Sequence, residues 1–215
     1  MAKSKEEKTV ETIQKKKALL ISVYKDSREK DLASEHLEEL QLLCETYGVD
    51  VTEKMLCNVR KFEAATLIGT GKIEELKLLA KEKALDLIIF DDEITPAQQR
   101  NLGKECQCEV MDRTGVILEV FAQRAQTKEA CLQIALAQVK YEAPRLKRLW
   151  THLSRQSGTS GGGGSGGGGY LKGEGEKQIE IDRRLLKKRI ASLESELDEV
   201  HHYRKTQRAA RIRSE

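Results

Sequence analysis

Two different periodicities divide the chain. From residue 18 to about 124, apolar runs of five to seven residues alternate with stretches of helical period. The runs are ALLISVY (18–24), ATLIG (65–69), DLIIFDD (86–92) and CEVMD (108–112); the helical stretches are DLASEHLEELQLLCETYG (31–48), KIEELKLLAKEKA (72–84) and TPAQQRNLGKEC (95–106). Parallel strands need crossovers long enough to hold a helix, so this alternation predicts β-α-β units and a small parallel sheet. Thr95 before Pro96 supplies a capping hydroxyl and a proline at the first helical position, and Gly48 suits a helix stop.

From Thr127 the pattern changes. Leu132, Leu136, Val139, Ala143, Leu146, Trp150 and Leu153 are spaced alternately four and three apart, an a/d seam, and Leu186, Ile190, Leu193, Leu197 and Val200 repeat that spacing. Two such seams joined by a flexible segment predict a long antiparallel, coiled-coil-like helical hairpin with arms of about 40 Å at about 1.5 Å per residue. Pro144 lies within the first arm and is expected to kink it. The expected organisation is a charged tail (1–17), an α/β domain (18–126), a hairpin (127–203) with a glycine-rich tip (157–176), and a basic linker (204–215).

Composition narrows the class. Charged residues make up 34% and aromatic residues 4%, which suits long solvated helices. No run reaches the roughly 18–20 apolar residues of a membrane span, and the charged start MAKSKEEKTVETIQKKK is no secretory signal; a cytoplasmic protein is expected. The five cysteines are odd in number and contain no C-x-x-C, and the four histidines are scattered, which favours reduced packing thiols over a metal site.

The net charge of +3 conceals a polarised distribution. Between Ala143 and Gly173 there is no acidic residue, whereas Arg145, Lys147, Arg148, Arg155 and Lys172 are basic. A folded hairpin brings these towards Arg183, Arg184, Lys187, Lys188 and Arg189 of the second arm, with Trp150, His152 and Tyr170 available for stacking. The glycine segment, Gly161, Gly162, Gly163 and Gly164 included, can thread a narrow space and present bare N–H groups to phosphates or base edges. It reads equally as a solvated tether. As an RNA-binding surface, this constellation would take affinity from phosphates and shape from the tip.

TLIGTGKIEEL (66–76), FDDEITPAQQRNL (90–102), DRTGVILEVFAQRA (112–125), WTHLSRQ (150–156), the glycine run and GEGEKQIEIDRRLLKKRI (173–190) together resemble the N-terminal region of the HflX family of ribosome-associated GTP-binding proteins. The resemblance runs in order from about residue 18 to the end of the chain. It implies an α/β domain, a helical hairpin and then a Ras-like GTPase domain, in proteins that bind the 50S subunit and split stalled 70S ribosomes. It further implies that the glycine-rich tip contacts 23S rRNA near the peptidyl transferase centre. GTP and Mg²⁺ are expected for the GTPase domain, and the chain stops at Glu215, where that domain should begin. G-x-x-x-x-G-K-[ST] is absent, because Lys72 precedes Ile73 and Thr66 stands five before Gly71. Asp112 to Gly115 fits D-x-x-G only by chance. No GTP hydrolysis is expected from this chain.

Two other classes remain open. The seams could dimerise chains into an interaction module, although a glycine turn between equal seams favours intramolecular pairing and a monomer. The turn carrying Gly69, Gly71 and Lys72, at a strand-to-helix junction, could hold a phosphate of ATP, or simply make a tight turn. Asp91, Asp92 and Glu93 at a strand end could hold Mg²⁺ or form a solvated corner. No resident metal, cofactor or catalytic constellation is expected.

Overall fold

The computed structural model describes the backbone of residues 15–156 and 170–214, and the side chains of 15–145 and 180–213. Four strands, β1 (Lys17–Tyr24), β2 (Asp50–Asn58), β3 (Leu87–Phe90) and β4 (Glu109–Asp112), form one parallel sheet in the order β2-β1-β3-β4. Helices α1 (Lys30–Tyr47), α2 (Thr70–Glu82), α3 (Pro96–Cys106) and α4 (Arg113–Arg124) cover it, and α5 (Lys128–Gln156) and α6 (Tyr170–Ser214) follow.

Alternation along the strands sorts the core into two layers. Leu19, Ile21, Val23, Ile88, Phe90 and Val110 pack with Ile73, Leu76, Leu102 and Cys106 of α2 and α3. Ala18, Leu20, Leu87 and Ile89 pack with Leu37, Leu40, Val116 and Val120 of α1 and α4. Each fully buried large side chain contributes about 1.5–3 kcal/mol, so a sheet covered on both faces is strongly favoured. The chain moves from β1 outward to β2 and then back across to β3 and β4, which puts the topological switch between the carboxyl ends of β1 and β3.

Local signals are realised where side chains enforce them. Thr95 caps α3 in a reciprocal box: its hydroxyl accepts from Gln98 N–H at 3.3 Å, and Gln98 Oε1 accepts from Thr95 N–H at 2.8 Å. Gly48 ends α1 at φ 91°.

The expected strands need correction. ATLIG is not a strand: Leu67 has φ 68° and makes only an isolated bridge with Glu63, while Leu67 and Ile68 are buried as a loop that seals the α2/α3 layer. The second strand is instead DVTEKMLCN, an edge strand in which exposed residues alternate with partly buried ones and only Cys57 is fully inside. The stretch after β4 forms α4, a helix the strand-and-helix alternation did not predict.

The last two helices contact each other. Lys140 of α5 pairs with Glu194 of α6 at 2.8 Å, and Glu129, eleven residues earlier on α5, takes His201 at 3.0 Å and Arg204 further along α6. Their described portions therefore run antiparallel, with Leu132 and Leu193 of the two seams buried. Helix α6 begins at Tyr170, inside the segment expected as tip, and continues through residues 204–214, expected as a linker.

Candidate nucleic-acid interface

The described part of the cationic surface lies on α6. Leu186, Ile190, Leu193 and Leu197 turn inward, and the intervening Arg183, Arg184, Lys187, Lys188 and Arg189 are all exposed. Arg184 also reaches Glu180 at 3.3 Å. The spacing Arg183/Lys187 and Arg184/Lys188 stacks like charges one turn apart, which costs a helix a few tenths of a kcal/mol per pair. A polyanion relieves that repulsion. The side chains of Lys147, Arg148, Trp150, His152, Arg155, Tyr170 and Lys172 lie outside the described side chains, and Gly161 to Gly164 lie outside the described residues.

Arg145 does not join that surface. Its Nη2 donates to Asp112 Oδ2 at 2.9 Å and Nε to Gln99 Oε1 at 2.7 Å. Nη1 donates to the Tyr141 carbonyl at 2.7 Å, and the guanidinium carbon lies 3.4 Å from the centre of the Tyr141 ring. The expected phosphate contact is thus replaced by docking against the α/β body. An acid-free stretch in the sequence reads as solvated charge because its counter-ion, 33 residues earlier, is invisible to local composition. Asp112, Gln99 and Tyr141 are what sequence reasoning missed, and D-x-x-G was the available signal. Asp112 Oδ1 accepts from Gly115 N–H at 3.0 Å, so the motif is the N-cap of α4.

At the switch point the crevice is internally satisfied. Asp91 accepts from Arg113 at 2.9 Å and lies 3.2 Å from His36 Nδ1, and Arg113 also holds Glu39 at 2.6 Å, keeping that carboxyl below its ordinary range. Asp92 accepts the Val23 N–H at 3.0 Å; burial pushes its carboxyl up, and that hydrogen bond opposes the shift. Among the described residues no group of three or more His, Cys, Asp or Glu is placed to hold a metal ion. Lys72, beside Gly69 and Gly71 at the start of α2, is held by Glu75 at 2.6 Å, which raises its pKa. Burial pushes the thiols of Cys44 and Cys108 up to about 12 and that of Cys57 to about 11, so these are unreactive packing groups. No described helix is long and apolar enough to cross a membrane.

Comparison with known proteins gives consistent matches. Residues 34–122 match the family described as GTP-binding GTPase N-terminal, and residues 124–211 match GTP-binding GTPase Middle Region. The chain is 44% identical to the GTPase HflX of Chlamydia pneumoniae over 199 residues, covering 91% of this chain and 41% of that protein. It is 39% identical to the GTPase HflX of Escherichia coli over 198 residues, covering 92% and 44% respectively. The chain thus spans less than half the length of these curated relatives. A solved complex of SsGBP with GDP shares the fold at TM-score 0.62 and 22% identity, over 89% of this chain and 46% of that one. A GDP complex of a GTP-binding protein from Sulfolobus solfataricus aligns at TM-score 0.56 and 22% identity, over 86% and 46%.

Proposed function

This chain belongs to the HflX family of GTP-binding proteins, and we propose that it binds the large (50S) ribosomal subunit through a hairpin formed by α5 and α6. The glycine-rich segment 157–169, with the first turns of α6 beyond it, is the tip that reaches 23S rRNA near the peptidyl transferase centre. Lys147, Arg148, Trp150, His152, Arg155, Tyr170 and Lys172 line the approach, and Arg183, Arg184, Lys187 and Lys188 hold phosphates. The observation that carries this reading is the exposed band from Arg183 to Arg189 on a helix whose opposite side faces α5. Antiparallel pairing of α5 and α6 within one chain supports a monomer. GTP and Mg²⁺ belong to a GTPase domain joined to these regions in the whole protein, which would support splitting or rescue of stalled ribosomes.

Sedimentation with purified 50S subunits tests the reading. Binding should be strong at low salt and fall as salt rises, since each phosphate contact releases counterions. A folded chain that stays in the supernatant at low salt overturns it. Replacing 157–172 by Asn-Gly should remove protections of rRNA bases while keeping much of the affinity, because backbone contacts position and shape contacts specify. Identical rRNA footprints would reduce the glycines to a hinge.

A further inference from the structure

We propose that Asp112 and Arg145 form a latch that sets the direction in which the α5–α6 pair leaves the α/β body, a positioning role that deepens the ribosome-binding reading and rests on it. Asp112, at the end of β4, is fully buried. Its carboxylate accepts from four donors: Gly115 N–H at 3.0 Å, Tyr141 Oη at 2.7 Å, Arg145 Nη2 at 2.9 Å and Ile94 N–H at 3.4 Å. These come from α4, from two positions one turn apart on α5, and from the loop before α3. Two α5 donors separated by one turn, converging on one carboxylate, fix the rotation of that helix about its axis. The Arg145 fork then fixes its tilt, because Gln99 of α3 and the Ile94 carbonyl, at 2.7 Å and 3.4 Å, hold it from the other side.

The latch sits where the helix is weakest. Pro144 removes the N–H that would bond the Lys140 carbonyl, so the backbone ladder is interrupted one residue before Arg145. Arg145 itself donates to the neighbouring Tyr141 carbonyl at 2.7 Å and stacks on that ring. A proline joint leaves direction poorly determined by the helix alone; a buried charge pair within a hydrogen-bonded cluster determines it, because any swing strips the fully buried Asp112 carboxylate of its Tyr141 and Arg145 donors. The pair is thus a positioning device, remote from the RNA.

Pulsed electron paramagnetic resonance on the full chain reads the direction. Spin labels at Leu78→Cys of α2 and Arg189→Cys of α6, both exposed positions, go into a Cys131→Ser background that removes the exposed native thiol. The chain with the latch intact should give one narrow distance distribution. Asp112→Asn combined with Arg145→Gln removes both charges together, so no lone buried charge remains and the amide can still cap α4; the distribution should broaden or shift while amide exchange in β1 and β3 stays protected. An unchanged distribution overturns the latch. Should that double variant fail to fold, Gln99→Leu and Tyr141→Phe each remove one hydrogen-bonding partner, and unchanged distributions in both overturn it equally.

Affinity for 50S separates the two readings. Variants with widened distributions should bind several-fold more weakly, because the arm must be ordered on binding. Widened distributions with unaltered affinity overturn the positioning role. A narrow distribution in a chain that never binds 50S overturns the ribosome reading and leaves the latch standing.

Discussion

Gly115 and Tyr141 approach so closely that a Cβ on the glycine would lie 2.8 Å from the tyrosine oxygen, and 2.6 Å from Cγ of Met111. Gly115→Ala therefore overpacks the junction of α4 and α5. Alanine's better helix propensity offsets part of the strain, leaving a net loss of about 1–2 kcal/mol in urea unfolding. An alanine variant as stable as the parent would mean that α5 yields freely at this contact.

The ends of α1 and α3 make opposite predictions. Gly48 occupies the left-handed region at φ 91° with open space around it, so Gly48→Ala should cost about 1 kcal/mol through backbone strain alone. Gln107 is exposed and ends α3 at φ 55°, so Gln107→Gly should stabilise by roughly 0.5 kcal/mol. Thermal unfolding of the two variants should move in opposite directions.

Asp92 gives a pH dependence of unusual sign for a carboxylate. Burial raises its native pKa above the ordinary value of 3.8, so the folded state holds its proton more tightly than the unfolded chain does. The contribution of Asp92 is therefore most favourable at acid pH and is lost as pH rises from the ordinary carboxylate range through the raised native value. Asp92→Asn keeps an oxygen for the Val23 N–H and should abolish this component. The difference in unfolding free energy between parent and variant, followed from pH 4 to 7, should move in the variant's favour; a flat difference refutes the assignment.

Replacing Arg183, Lys187 and Lys188 by glutamine should weaken 50S binding at low salt. The log–log salt slope should flatten by roughly 0.7–0.9 for each phosphate that is no longer neutralised. Helicity by circular dichroism should hold or rise, since the Arg183/Lys187 repulsion disappears. An unaltered slope would remove this band from the interface.

What was legible in the sequence followed from whether neighbours in sequence decide the outcome. LIIF of β3 is buried on both faces, so its apolar run announces it, and Thr95–Pro96 caps a helix with atoms three residues apart. β2 escaped because an edge strand needs only one apolar side, and Thr52 and Lys54 dilute the run. ATLIG misled because burial in a loop and burial in a strand look alike until Leu67 adopts φ 68°. At the interface, the outward cations of α6 follow directly from the seam spacing. Arg145 could not be read, since its fate depends on Asp112, Gln99 and Ile94, which only the fold brings together.

Gln99 carries a consequence for self-association. Its Nε2 donates to the carbonyl of Val110, on the outermost strand β4, at 2.6 Å, while its Oε1 accepts from Arg145. Strand edges recruit other chains through such acceptors, and native proteins blunt them. Here the blunting group is held in place by Arg145 of α5, so an arm that swings free also releases the guard on the sheet. Undocking should therefore announce itself as concentration-dependent assembly, long before the sheet itself unfolds.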